Sequence, residues 1–274
     1  MKGFIILGLS VSSVLSAQTD STQIKEIQEV SFTRRLPVSK EIINVQKDLG
    51  SKNLGQDLPI LLKNQMSVVA TSDAGNGVGY TGFRIRGSAG TSINVMLNGV
   101  PYNDSESQGT FFVNIPDMAS SASQIVIQRG VGTSSNGTAS FGASVNILTK
   151  NPDEKPYVLG QFSAGSFNTM KTSFEAGSGK FLNNLLSVSA RYSTINSDGY
   201  IDRAFSKLNS YNINALFEKG NTKLRFLTFG GKEKTYQAWN GIDRQTWETN
   251  PRLNYSGQYT DLFTGEEKFY DNET

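Results

Sequence analysis

The side chains that most often carry catalysis are missing from this sequence: its 274 residues include no Cys and no His. Thiol nucleophiles, zinc sites built on thiolate or imidazole, disulfide frameworks and Ser-His-Asp triads are excluded with them. Carboxylate, Tyr, Lys and Arg chemistry remains. A carboxylate glycosidase needs two acidic residues on a rigid cleft about 5 to 10 Å apart, and no such pair stands out. No catalytic residue, metal ligand or cofactor is therefore assigned. Gly77, Gly79 and Gly82 match the dinucleotide-binding spacing, but that fingerprint opens a helix whose N-terminus meets a pyrophosphate. Here Phe83, Arg84, Ile85, Arg86 and Gly87 continue as an alternating strand, so the glycines are read as serving an exposed, mobile loop. That loop, residues 73–80 with Asp73, Asn76 and Tyr80, is either ligand-contacting or a plain connection. A second polar loop, with Tyr102, Asp104 and Gln108, has the same two readings. Arg84, Arg86 and Arg129 lie in otherwise apolar strands. Each is either buried against a carboxylate, since an unpaired buried cation is costly, or turned outward on an edge.

The elements that must position these residues are mostly strands. Lys and Arg number 26 against 24 Asp and Glu, a balance that sets up no field for nucleic acid or anionic lipid, and no nucleic acid is expected as a partner. With 27 Gly, 10% aromatic residues and only 18% charged ones, the chain falls outside the usual profile of a helical soluble enzyme. Residues 1–17 place Lys2 before an apolar run and end in Ser16 and Ala17, the pattern of a secretory signal peptide. The run is shorter than the ~20 apolar residues of a spanning helix. No later stretch approaches that length, so a membrane location requires a β-barrel.

Residues 18–35 are polar and contain Glu29, Val30, Ser31, Phe32 and Thr33, whose alternation makes a short strand former. It reads as an edge strand, or as a peptide added to a partner's sheet. Residues 36–150 carry short strands at 41–45, 82–86, 93–97, 124–129 and 143–149 and a helix over 57–63, with Asp57 as N-cap and Pro59 in the first turn. Asn98-Gly99 marks a turn. From Tyr157 the alternation sharpens: Leu186, Val188, Ala190 and Tyr192 oppose Ser187, Ser189, Arg191 and Ser193, and the segments at 170–176 and 211–217 repeat the pattern. Strands of this kind suit a transmembrane barrel, or the half-buried sheet of a soluble sandwich. Long and short connections alternate in the later hairpins, as in a barrel. About five strands can be read, whereas a single-chain barrel has at least about 8. An open edge is not viable in lipid, which predicts a truncated receptor.

Taken in order, these segments resemble a TonB-dependent outer-membrane receptor. The resemblance rests on Glu29 to Thr33 as a TonB box, then Leu54-Gly55-Gln56-Asp57-Leu58-Pro59, Phe83-Arg84-Ile85-Arg86-Gly87, Ile93-Asn94-Val95-Met96-Leu97-Asn98-Gly99, Ile115-Pro116, Ile125 to Gly130 and Ser144 to Lys150 as the plug. Asp198-Gly199-Tyr200 and the stretch 236–242 resemble loops of Bacteroidetes receptors. Met66-Ser67-Val68 departs from the Pro-Gly-Val of many plugs. The resemblance implies an α+β plug domain followed by antiparallel transmembrane β-barrel strands, incomplete here, where the family's barrel has about 22 strands. The expected division is signal peptide 1–17, TonB-box tether 18–35, plug 36–152 and first barrel strands 153–274.

It further implies that Glu29, Val30, Ser31, Phe32 and Thr33 bind TonB, with its inner-membrane energising complex. Arg86 and Arg129 would lock the plug to barrel glutamates, and Asp73, Asn76, Tyr80, Tyr102, Asp104 and Gln108 would face an external ligand. The expected function is uptake across the outer membrane of a scarce ligand, a ferric siderophore first, without catalysis. A haem or cobalamin importer of the same family is the alternative, and an exported β-rich adhesin or carbohydrate-binding protein is a second class. The absence of an inserted N-terminal domain speaks against the signal-transducing and glycan-importing types.

Overall fold

The turn signals and alternation resolve into two main sheets in the computed structural model, which describes residues 39–131 and 140–270. The first is built from β1 (Ser39–Asn44), β4 (Ile93–Leu97), β5 (Val100–Pro101), β6 (Ala122–Arg129) and β7 (Ala143–Thr149), in the order β1-β6-β7-β4-β5. All neighbours are antiparallel except β4 and β7. β2 (Val68–Ser72) and β3 (Thr81–Ile85) form a separate hairpin. The core follows from sequence period: Ile125 and Ile127 on β6 and Val145 and Ile147 on β7 point one way and are almost fully buried. β4 is buried at all five positions, as expected of a strand covered on both faces. Asn98 and Gly99, both at positive φ, turn β4 into β5.

The helix expected at 57–63 is one turn, α1 (Leu58–Leu61), with Pro59 at its start. Asp57 stands at the N-cap position without capping. Its carboxylate instead accepts a hydrogen bond from Thr81 Oγ1 (2.9 Å), tying α1 to β3. A second turn, α2 (Met118–Ser121), leads directly into β6.

The second sheet is a meander in which each strand pairs with the next: β8 (Pro156–Ala164), β9 (Met170–Phe181), β10 (Leu186–Ser197), β11 (Ser206–Lys219) and β12 (Thr222–Thr235). The turn expected over 177–184 shrinks to residues 182–185, because β9 runs on to Phe181 past a bulge opposite Ser187 and Ser189. At one end β9–β10 and β11–β12 are joined by residues 182–185 and 220–221; at the other the connections are 165–169, 198–205 and the long stretch after Thr235. That stretch carries α3 (Arg244–Thr249), capped by Asp243 on Thr246 N (2.9 Å), and a hairpin of β13 (Gln258–Thr260) and β14 (Glu267–Phe269).

The two faces of the meander are inverted relative to a soluble sheet. Lys171, Ser173, Arg191, Ser193, Ser210, Asn212 and Asn214 are buried against the first sheet and its loops. On the other face Val158, Phe162, Phe174, Leu224 and Phe226 are each more than 60% exposed. Among the described residues no helix is long and apolar enough to cross a membrane, so any crossing falls to these strands.

Candidate functional site

The site is the seam between the first domain and the polar inner face of the meander, together with the loops at the long-connection end. Its centre is Asp117. The residue sits at φ 53, in the left-handed region that Asp tolerates better than most, just after Ile115 and Pro116. This conformation directs its carboxylate at the wall. Asp117 Oδ1 accepts from Lys171 Nζ (2.6 Å) and Ser120 Oγ (2.5 Å), and Oδ2 from Arg191 Nη1 (2.6 Å) and Ser193 Oγ (2.8 Å). Arg191 Nε donates to Ser121 Oγ (2.8 Å) and Lys171 Nζ to Ser120 Oγ (2.9 Å). Side-chain exposure is 0% for Asp117, 2% for Lys171 and 4% for Arg191, so one carboxylate and two cations are shut away from water. Burial alone would raise the Asp117 pKa, but Arg191 and Lys171 overcome it and hold the carboxyl below its usual range.

Further along the seam, Arg225 on β12 donates through Nε to Asn214 Oδ1 (3.0 Å) and through Nη2 to Thr149 Oγ1 (2.6 Å) and the Lys150 carbonyl. Asn214 donates to the same carbonyl. Ser163 Oγ on β8 donates to the Leu54 carbonyl (2.7 Å). The wall is therefore attached to the first domain through side chains from all five of its strands.

The loop at 73–80 is packed rather than exposed and mobile. Gly77, Val78 and Gly79 are buried, and Val78 joins Val113, Ile195 and Leu208 in a small apolar cluster across the seam, with Tyr80 against it. Asn76 Nδ2 donates to Ser197 Oγ, and Tyr200 N donates to the Ala74 carbonyl (2.8 Å), so the loop is tied to the β10–β11 connection. A Cβ on Gly79 would come within 2.5 Å of Ser206 Oγ. Close approach to the wall, with φ at 93, requires glycine there. Asp73 lies within the same turn, its N–H donating to the Tyr80 carbonyl (3.0 Å), and burial pushes its carboxyl up.

The second loop closes on itself. Asp104 Oδ1 accepts from the Ser107 N–H (2.7 Å) and hydroxyl (2.9 Å), contacts that hold its carboxyl below the usual range. Gln108 is exposed at φ 59. Tyr102 turns back toward the wall, its ring 6.2 Å from Phe229 in a groove also lined by Leu97, Val100 and Leu227.

The two arginines separate. Arg129 is buried at 5%, and its carboxylate partner is Glu41 on β1, inside the first domain rather than in the wall; Nε donates to the Met66 carbonyl (3.0 Å). The antiparallel pairing of β1 with β6 brings Glu41 within reach of Arg129, so this arginine is paired within the first domain and not with a glutamate of the described wall strands. Arg86 is exposed at φ 51 beside Gly130, with no ion pair among the described residues, and Arg84 is exposed as well. The five residues Glu29, Val30, Ser31, Phe32 and Thr33, and the signal-peptide segment, lie outside the described residues. Asp117, Lys171 and Arg191 were not singled out from the sequence. The available signal was a cation at a polar-face position on each of two neighbouring strands, which demands a buried counter-charge. No group of three or more acidic side chains is gathered as a metal site among the described residues.

A five-stranded mixed sheet bonded through its loops to the polar face of an antiparallel meander is the plug-and-wall arrangement of outer-membrane receptors. Residues 33–144 match the family model described as TonB-dependent Receptor Plug Domain, so this part of the chain is a plug domain, and the meander after it has the fold of the wall strands of TonB-dependent receptors. None of the curated proteins matches it. Among solved structures, the ferric yersiniabactin uptake receptor FyuA from Yersinia pestis is similar at 15% identity and TM-score 0.62, over 81% of this chain and 35% of that one. The ferric citrate transporter FecA, in its unliganded form, gives 15% identity and TM-score 0.62, over 79% and 34%. The copper transporter OprC gives 14% and 0.59, over 73% and 32%. The chain thus spans about a third of the length of these proteins.

Proposed function

We propose that this chain is the plug and leading wall of an outer-membrane importer that takes up a scarce metal chelate, a ferric siderophore being the first expectation, with energy delivered through TonB. The observation that carries the reading is the inverted meander: a polar face buried on a plug and an apolar face turned outward, the distribution that lipid on one side and a plugged lumen on the other demand. Support for the ligand class comes from the structural neighbours, two of which are named for ferric chelates and one for copper. This is a receptor and transporter reading, not an enzymatic one. The exported segment 1–17 and the outer-membrane location belong to it.

Within this scheme Glu29, Val30, Ser31, Phe32 and Thr33 are the strand that TonB captures. Asn76, Tyr80 and Tyr102 lie on plug loops that contact the wall, so a ligand arriving from the long-connection end is sensed through the plug's contacts as well as by direct touch. Arg129 with Glu41 fastens β1, the first described strand after the tether. The test is removal of residues 29–33 from the full-length receptor, followed by uptake of radio-iron supplied as ferric citrate and as a hydroxamate chelate. Uptake should fall to background while surface binding of whichever chelate is taken up persists. Unchanged uptake would remove the TonB-box assignment.

A further inference from the structure

The inner face of the meander is polar over most of its contact with the plug and turns apolar on β12. Leu227 and Phe229 stand opposite Asn214 and Asn212 of β11, on the side that faces the plug, and pack against the core of the first domain. Across the seam from them are Leu97 at the end of β4, Val100 and Pro101 of β5, and Tyr102, whose ring centre is 6.2 Å from that of Phe229. Together these residues line a groove of about 400 Å³, a size within the range of small-molecule sites. The groove is not filled by its own lining, since Val100 remains 67% exposed. It runs toward the short-turn end of the wall, whereas residues 73–80 are tied to the β10–β11 connection at the other end.

Charge decides what such a groove would hold. Arg225 lines its short-turn end and enters no ion pair among the described residues. Its acceptors, Asn214 Oδ1, Thr149 Oγ1 and the Lys150 carbonyl, are all neutral, and they engage Nε and Nη2 but not Nη1. The other cations of the seam are compensated from within: Lys171 and Arg191 share Asp117, and Arg129 has Glu41. A guanidinium offers a fork of donors that matches a carboxylate. An apolar cleft ending in that fork has the polarity of an amphiphilic anion, body on the apolar walls and charge at the end. Pro101 argues against a peptide as occupant, because a residue without an N–H blunts the edge of β5 against pairing with a further strand.

We propose that the groove between β5 and β12 is a binding site for a small amphiphilic carboxylate, with its apolar body between Val100, Tyr102, Leu227 and Phe229 and its carboxylate on Arg225. The site needs only the seam between plug and wall, and it is independent of which chelate the receptor imports. A carboxylate bound to Arg225 Nη1 leaves the existing bonds to Thr149 and Lys150 in place, so the ligand adds to the attachment of the plug at this end and does not compete with it. The tilted rings of Tyr102 and Phe229 favour a flat aromatic body, which meets one of them face-on and the other by its edge.

The test uses the full-length receptor in lipid nanodiscs, titrated with a fluorinated naphthoate and, separately, with the matching neutral naphthamide. Binding is read from the broadening of the fluorine NMR line, with empty nanodiscs as the blank. The wild type should bind the carboxylate about tenfold more tightly than the amide. Arg225→Gln should lose that preference while still binding the amide, and Arg225→Lys should restore part of it. Val100→Ser, at an exposed position that holds no other element in place, should weaken both probes by about threefold. Lys219→Gln, which removes a cation at the same end of the wall but outside the groove, should change neither. Equal affinity of the wild type for carboxylate and amide would overturn the proposal, as would an unchanged preference in Arg225→Gln. Failure of the wild type to bind either probe above the blank, as when another part of the receptor fills the groove, would overturn it too. Should Arg225→Gln fail to fold, the wild-type preference and the Val100→Ser loss decide the matter by themselves.

Discussion

Asp117 is the residue on which the seam turns. A single carboxylate neutralises part of a buried pair of cations, and every one of its contacts but Ser120 comes from the wall. Truncating it leaves Lys171 and Arg191 facing each other with no anion. Removing one partner from a buried ion cluster costs about 3 to 5 kcal/mol. Asp117→Ala in the full-length receptor should therefore speed amide hydrogen exchange across α2 and the start of β6, while exchange in the β13–β14 hairpin stays as it was. Adding Lys171→Met and Arg191→Met should recover most of the protection, because it is the uncompensated charge and not the lost contact that dominates. Asp57 poses the opposite case. It is buried without a cation beside it, and burial pushes its carboxyl up to about 8, against the Thr81 hydrogen bond. The folded form therefore holds a proton that the unfolded form, titrating near 3.8, gives up. Between those two values the native state binds more protons, so the docking of α1 on β3 weakens as pH rises from about 4 to about 8. Exchange rates in α1, corrected for intrinsic pH dependence, should rise over that window, and Asp57→Asn should flatten the rise. A flat wild-type profile would contradict the assignment.

At the scale of elements, what could be read from the sequence was whatever depends on period and turn chemistry. The strands at 93–97, 124–129 and 143–149 and the Asn98-Gly99 turn lie where alternation and glycine placed them, give or take two residues. The meander strands were found in number and place, because a wall with one polar and one apolar face writes its period into the chain, but they run longer than read: β9 continues to Phe181 and β12 to Thr235. Three features were hidden for physical reasons. The Asp57 side chain sits at a helix start, where local rules assign it to capping, but the long-range Thr81 hydroxyl captures it. The glycines of residues 77–82 looked like freedom for a mobile loop; at Gly79 the reason is instead that Ser206 approaches too closely for a Cβ. The partner of Arg129 depends on the pairing of β1 with β6, residues far apart in sequence, and no local pattern encodes that register. The candidate site was legible in its loops and not in its centre. Asp117, Lys171 and Arg191 are brought together across separations of 54 and 74 residues, and only the fold reveals that their charges meet.

For the whole molecule, the central claim is the orientation of the meander: polar face on the plug, apolar face in lipid. It follows from burial at positions such as Ser173 and Asn214 and exposure at Val158 and Phe226, and the transport reading depends on it. The absence of Cys from these residues allows a direct measurement. Single cysteines introduced as Val158→Cys, Phe226→Cys, Ser173→Cys and Asn214→Cys in the full-length receptor would be labelled with a small fluorophore, and the protein reconstituted in vesicles of brominated lipid. Acyl-chain bromine should quench the labels at 158 and 226 strongly and spare those at 173 and 214. Quenching at 173 and 214 with none at 158 and 226, or no quenching at any position, would contradict the account.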